Sequence, residues 1–227
     1  MTYKNIVEGI FKARPNRFVA EVEIDGKIHV CHVKNTGRCR ELLVENSKVF
    51  LEKSDNPSRK TEYDLVAVYK GDMLVNIDSQ APNKVFYEWL QNGNLFGDDV
   101  MIYPETIYKN SRFDFYIESE ERRIFLEVKG VTLERDGVVL FPDAPTERGT
   151  KHVNELIDAK TNGYDTYVCF VIQMDKCLYF TPNAEMDRTF AKALRSAAKQ
   201  GVGIIALKCK VTRDGLEICD SVDVRLN

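Results

Sequence analysis

The chain has 227 residues, 44% of them hydrophobic and 30% charged, with a formal net charge of −3. That balance excludes disordered and fibrous classes and a uniformly basic coat, and leaves local basic patches open. There is no N-terminal apolar h-region, and the most apolar run, YVCFVI from Tyr167, is too short to span a bilayer, so a cytoplasmic protein with no membrane partner is expected.

The first eighty residues read as all-β. FVAEVEI alternates with period two and ends at Asp25-Gly26, where KIHVCHV resumes the strand. SKVFLEKS, YDLVAVYK and MLVNID follow, the last two joined at Lys70-Gly71-Asp72. Short strands between turn residues predict a small barrel of the OB type or another compact β-fold over residues 1–80. The six cysteines contain no CxxC pair and read as reduced thiols. Cys31 and Cys39 lack the short spacing of structural zinc.

Ala81-Pro82-Asn83 marks a boundary, and the pattern changes over residues 81–227. NKVFYEWLQNG has helical spacing and stops at Asn92-Gly93. MIYPETIY, RFDFYIE and RIFLEVKG read as strands, the last two as a hairpin through Ser119–Arg122. A helix is predicted from about Pro145 to Asn162, with Pro145 in its first turn, Asp143 or Thr146 as cap and Gly163 as stop. TYVCFVIQ reads as a strand buried on both faces, MDRTFAKALRSAAKQG as a helix and VGIIALKCKV as a last buried strand. The order helix, three strands, helix, strand, helix, strand predicts an α/β domain with a mixed sheet.

The chemistry sits on the hairpin. Period two puts Phe113, Phe115 and Ile117 on one face of RFDFYIE, and Asp114 on the other. In IFLEVKG it puts Glu127 and Lys129 opposite Ile124, Leu126 and Val128. In register, Asp114 lies beside Glu127. Two adjacent carboxylates repel unless a cation joins them. Mg²⁺, with Mn²⁺ as the alternative, is the natural partner, and no organic cofactor is implied. The Val128 carbonyl is a candidate third ligand. Such an ion activates water and polarises a phosphodiester, and Lys129 is placed to orient the water or stabilise the phosphate. An E-x-K tripeptide alone is more often a solvated pair. Asp114 on the preceding strand and the flanking helix order add up to the core plan of PD-(D/E)xK (restriction-endonuclease-like) nucleases.

NRF (16–18), KNTGR (34–38), SDNPSRK (54–60), SRFDF (111–115), EVKGVTL (127–133) and FPDAPTERGTKH (141–152) stand in that order. Together they resemble the sugar fermentation stimulation protein family (SfsA) along essentially the whole chain. The resemblance implies an N-terminal OB-like domain, a C-terminal PD-(D/E)xK-type domain, DNA binding, and a link to sugar (maltose) catabolism. By position, Asp114, Glu127 and Lys129 match the nuclease motif. Glu88 matches an additional acid carried by some such enzymes, or is a solvent-facing helix residue. Phe113 replaces the motif's proline, which supplies no ligand.

Arg148, Lys151 and His152 fall at i, i+3 and i+4 and are read, with Arg112, as a phosphate-contacting face; a solvated face with a Glu147–Lys151 pair is the alternative. His152 is a candidate general acid or phosphate ligand, and Gln173 a polar residue near the site. Residues 1–80 carry thirteen Lys plus Arg against twelve Asp plus Glu, but the bases cluster. Arg17, Asn35, Arg38, Arg59 and Lys60 are the expected DNA contacts there, with the Asn35-Thr36-Gly37 loop supplying backbone donors. Phe18 is read as barrel core, with base stacking as the alternative. The expected partner is DNA, with RNA an alternative polymer and a homodimer compatible with the sequence. A binding regulator that cuts nothing is the rival function.

Overall fold

The computed structural model describes residues 1–35, 37–93, 95–97 and 99–226; Thr36 of the expected phosphate loop lies outside them. Six strands come first: β1 (Ile6–Asn16), β2 (Val19–Ile24), β3 (Lys27–Val33), β4 (Lys48–Lys53), β5 (Tyr63–Lys70) and β6 (Met73–Asn76). The pairing β1–β2–β3–β5–β4–β1 closes the first five into a barrel, as an OB fold requires. Asp25 and Gly26, at φ 50° and 75°, make the tight turn between β2 and β3, and Gly71 at φ 58° opens the turn into β6. The sequence reading missed β1. Its register shifts at Phe11/Ala13 and Ala13/Asn16 break the alternation that would have revealed it.

Helix α1 (Ala81–Gln91) starts two residues earlier than predicted, with Pro82 in its first turn, where a missing N–H costs nothing. Strands β7 (Met101–Tyr108), β8 (Ser111–Glu118) and β9 (Arg123–Val131) form the expected meander. A hairpin of β10 (Leu133–Arg135) and β11 (Val138–Phe141) precedes α2 (Glu147–Thr161). Thr146 caps α2, its hydroxyl accepting from Gly149 N, so Pro145 lies just outside the helix and not in its first turn. Then come β12 (Asp165–Ile172), β13 (Tyr179–Pro182), α3 (Arg188–Lys199), β14 (Gly203–Thr212), β15 (Gly215–Ser221) and β16 (Asp223–Val224).

The main sheet runs β15-β14-β12-β9-β8-β7 and is mixed, with β9, β12 and β14 parallel. A smaller sheet, β10-β11-β13-β16, was not foreseen, because its short strands carry too few residues to show a period. Helix α2 covers one face of the main sheet, burying Val153, Leu156 and Ala159. Helix α1 lies on the other face between sheet and barrel. Its Val85, Phe86 and Leu90 join Ile124, Leu126 and Val128 of β9 and Phe50, Val66 and Ala67 of the barrel in one apolar cluster. Burying each of these larger side chains stabilises the fold by about 1.5–3 kcal/mol, so the barrel is bonded apolarly to the second domain. All six cysteines are free thiols. No helix among the described residues is long and apolar enough to cross a membrane.

Candidate active site

The β8–β9 ladder runs in register from Glu118↔Arg123 to Phe115↔Leu126 and then opens. Where the next pair would close, Asp114 inserts its side chain: Oδ2 accepts from Val128 N at 2.7 Å, and Oδ1 accepts from Asn83 Nδ2 at 2.7 Å. Across the other edge of β8, Glu105 of β7 sits at φ 54°. This local break turns Phe113 away from its predicted companions. Phe115 and Ile117 pack toward α1, whereas Phe113 packs with Phe125, Tyr108 and His152 on the α2 side. The strict period-two reading therefore fails at Asp114.

Glu127 is 3% exposed and faces α2. Its Oε1 accepts from Lys129 Nζ and from His152 Nδ1, both at 2.5 Å. Its Oε2 is buried with no partner. Burial pushes the Glu127 carboxyl up, but the His152 hydrogen bond and the Lys129 ammonium outweigh it and hold the group below its ordinary range. Burial, and then the neighbouring Glu127 charge, push Asp114 the other way, up to about 6, despite Val128 N–H, Lys129 and Asn83. The Glu127 charge thus acts on Asp114 in addition to its burial. Strand geometry turns the Val128 carbonyl to the same edge as its N–H, toward Asp114. The donor set is two carboxylates and a carbonyl, all hard oxygens, and Glu127 Oε2 is an orphaned acceptor, so the residues fit a hard divalent ion. Among the described residues, no group of three or more His, Cys, Asp and Glu gathers as a metal cluster, so carbonyl and water ligands would have to complete the shell.

His152 turns inward to Glu127 from the helix face it shares with Arg148 and Lys151. It is 5% exposed, its Nδ1 lies 2.5 Å from Glu127 Oε1, and its Nε2 accepts from Arg148 Nε at 3.5 Å. Arg112, Arg148, Lys151 and His152 line one open pocket of about 520 Å³. Lys151 donates to Asn110 O at 2.9 Å and lies 3.8 Å from Glu155, its pair in place of Glu147. Arg112 pairs with Glu105 at 3.1 Å on the surface. Glu88 is not brought to the carboxylates; it binds the Met1 amino group at 2.6 Å. Asn83, one turn earlier on α1, makes the contact from that helix, and no sequence signal marked it. Gln173 is buried behind the site, donating from Nε2 to Asn76 Oδ1 and Asp78 O, and its Oε1 abuts Gly130, the residue after Lys129.

The expected barrel contacts divide. Arg17 and Arg38 share one pocket. Asn35 holds the loop itself, donating to Ile77 O and accepting from Gly37 N. Arg59 is committed to buried Asp64 in a two-pronged pair at 2.9 and 2.5 Å. Burial raises the Asp64 carboxyl, but Arg59, Lys34 and His32 more than offset it and hold the group at about 2. Lys60 is exposed and makes no ion pair among the described residues. Phe18, read as core, is instead 46% exposed.

The family described as "SfsA N-terminal OB domain" matches residues 13–77, and "Sugar fermentation stimulation protein RE domain" matches residues 80–215. A sugar fermentation stimulation protein homolog of Clostridium beijerinckii is 57% identical over 226 residues, covering 100% of both chains. One from Desulfitobacterium hafniense strain Y51 is 58% identical, covering 100% of this chain and 99% of its own. The solved structure of Pyrococcus furiosus SfsA in complex with Ca²⁺ superposes with a TM-score of 0.90 at 26% identity, over 99% of this chain and 98% of that one. A closed five-stranded barrel joined to a mixed α/β sheet, matched end to end in sequence and in shape, places this chain in the sugar fermentation stimulation protein family.

Proposed function

We propose that the chain is a cytoplasmic, divalent-cation-dependent phosphodiesterase acting on nucleic acid, DNA in the first place. The observation that carries this reading is the convergence of Asp114, Glu127 and Lys129 where β8 and β9 part, with Glu127 Oε2 buried and unpartnered. The structural relative from Pyrococcus furiosus is described in complex with Ca²⁺, a hard ion of the kind this donor set suits. Asp114, Glu127 and the Val128 carbonyl would hold Mg²⁺ or Mn²⁺. When bound, the ion supplies Lewis acidity to a phosphoryl oxygen and a more acidic water. Lys129, 2.5 Å from Glu127 Oε1, holds its ammonium at the mouth of the site, where it orients the attacking water and offsets charge gathering on the phosphate. His152 keeps Glu127 aimed from behind. Arg112, Arg148 and Lys151 line the adjoining pocket and hold the strand by its phosphates.

A second reading is a DNA-binding regulator of sugar-fermentation genes that does not cut. It is favoured by the name of the relatives and by Asp114, whose two oxygens already have protein donors. The test is incubation with single- and double-stranded DNA and RNA in Mg²⁺, Mn²⁺ or EDTA, beside Lys129→Ala. Cleavage should need metal and fall by about 10²-fold or more in the variant. Salt-sensitive binding without cleavage in either protein would leave the regulator.

A further inference from the structure

A second charged concavity lies on the barrel, away from the carboxylates. Arg14, Arg17, Arg38 and Arg40 line it, with Gly37 at its edge, around a volume of about 440 Å³. None of the four forms an ion pair with a carboxylate among the described residues. Arg14 is the fixed member. Its Nη1 donates to Arg38 O at 2.5 Å, and its Nη2 to Arg17 O and Asn35 O, both at 2.8 Å. Those carbonyls anchor the guanidinium without cancelling its charge, and Arg14 Nε is buried with no partner. Arg14 thereby staples the β1–β2 turn to the β3–β4 connection and fixes the shape of the pocket. Asp143 approaches the rim, its carboxylate lying against Gly37.

Beside the pocket, the Arg17 guanidinium lies 4.8 Å from the centre of the Phe18 ring, which is 46% exposed. A large aromatic in water at the β1–β2 turn forgoes the burial it would have gained in the barrel. That turn is one of the places where OB folds take oligonucleotides. Guanidinium forks match phosphate oxygens, and an open ring face takes a base. Duplex bases keep their faces stacked and have none to offer.

We propose that this pocket holds a backbone phosphate of a single-stranded nucleic acid, while Phe18 stacks the neighbouring base. The proposal takes its ligand from the nucleic-acid reading above, but does not require cleavage. The test is fluorescence anisotropy of short labelled DNA and RNA strands on the full chain in EDTA, over a salt series. Arg38→Glu/Arg40→Glu should weaken binding and lower the slope of log Kd against log salt by about 0.7 for each phosphate no longer held. Phe18→Ala should weaken binding about tenfold. These side chains are exposed, so the variants should melt with the wild type. If the double variant does not fold, Phe18→Ala and the wild-type salt slope still decide. Binding and slope unchanged by these substitutions would overturn the proposal. So would duplex bound as tightly as single strand, or displacement by a mononucleotide or inorganic phosphate as effective as displacement by the strand. Cleavage is read separately in Mg²⁺. Arginine- and Phe18-dependent binding without any cleavage sinks the phosphodiesterase reading and keeps the pocket; cleavage with binding indifferent to the substitutions does the reverse.

Discussion

Glu127 presents one oxygen to Lys129 and His152 and leaves the other buried and unpaired. A buried acceptor without a donor costs about 1–3 kcal/mol, which a bound cation would recover. Mg²⁺ or Ca²⁺ should therefore raise the melting temperature, with about 2.7 kcal/mol gained at a hundredfold excess over Kd. Glu127→Gln should abolish that gain, which differential scanning fluorimetry with and without EDTA would show. His152→Ala should weaken cation binding by about 10–100-fold in calorimetry, because an unsupported Glu127 is no longer aimed. Asp64 gives the pH dependence. Its folded carboxyl is held at about 2, below the unfolded value of 3.8. Its contribution is thus complete above pH 4 and is lost as pH falls from there through 2. The difference is worth about 2 kcal/mol in denaturant unfolding, and Asp64→Asn should remove that part of the acid slope.

At the scale of elements, Gly130 shows how tightly the end of β9 is held. A Cβ there would lie 2.6 Å from Pro82 Cγ and 2.8 Å from Gln173 Oε1. Gly130→Ala should destabilise by about 1–3 kcal/mol in thermal unfolding, because Pro82 or Gln173 must shift. Thr146→Ala should cost about 1 kcal/mol in thermal unfolding by removing the α2 cap. The hairpin and both long helices were legible in the sequence, because period-two and 3.6-residue patterns and turn residues agreed over most of their length. Phe113 was assigned to the wrong face, because a side chain replacing a ladder hydrogen bond leaves no trace in hydrophobic alternation. His152 and Arg148 looked equivalent at i and i+4, yet one is buried and the other exposed. Which edge of a helix face turns inward depends on what Glu127 needs, and that is a long-range fact. Arg59 likewise read as a free base, because its partner Asp64 is revealed only once the strands fold.

On the scale of the whole molecule, α1 is an apolar layer shared by barrel and sheet, and the hydrogen bonds that Gln173 Nε2 donates to Asn76 Oδ1 and Asp78 O reinforce the seam. Trp89, the single tryptophan, packs on this layer. Its fluorescence and far-ultraviolet circular dichroism should follow one coincident unfolding transition; two separated transitions would mean that the barrel melts independently. An apolar, hydrogen-bonded seam of this kind opposes hinge motion between barrel and sheet. A strand gripped on the barrel and reaching the carboxylates would be measured against a fixed span, as between the jaws of a locked caliper. Its cuts would fall at a constant offset from the held phosphate, whatever the sequence between.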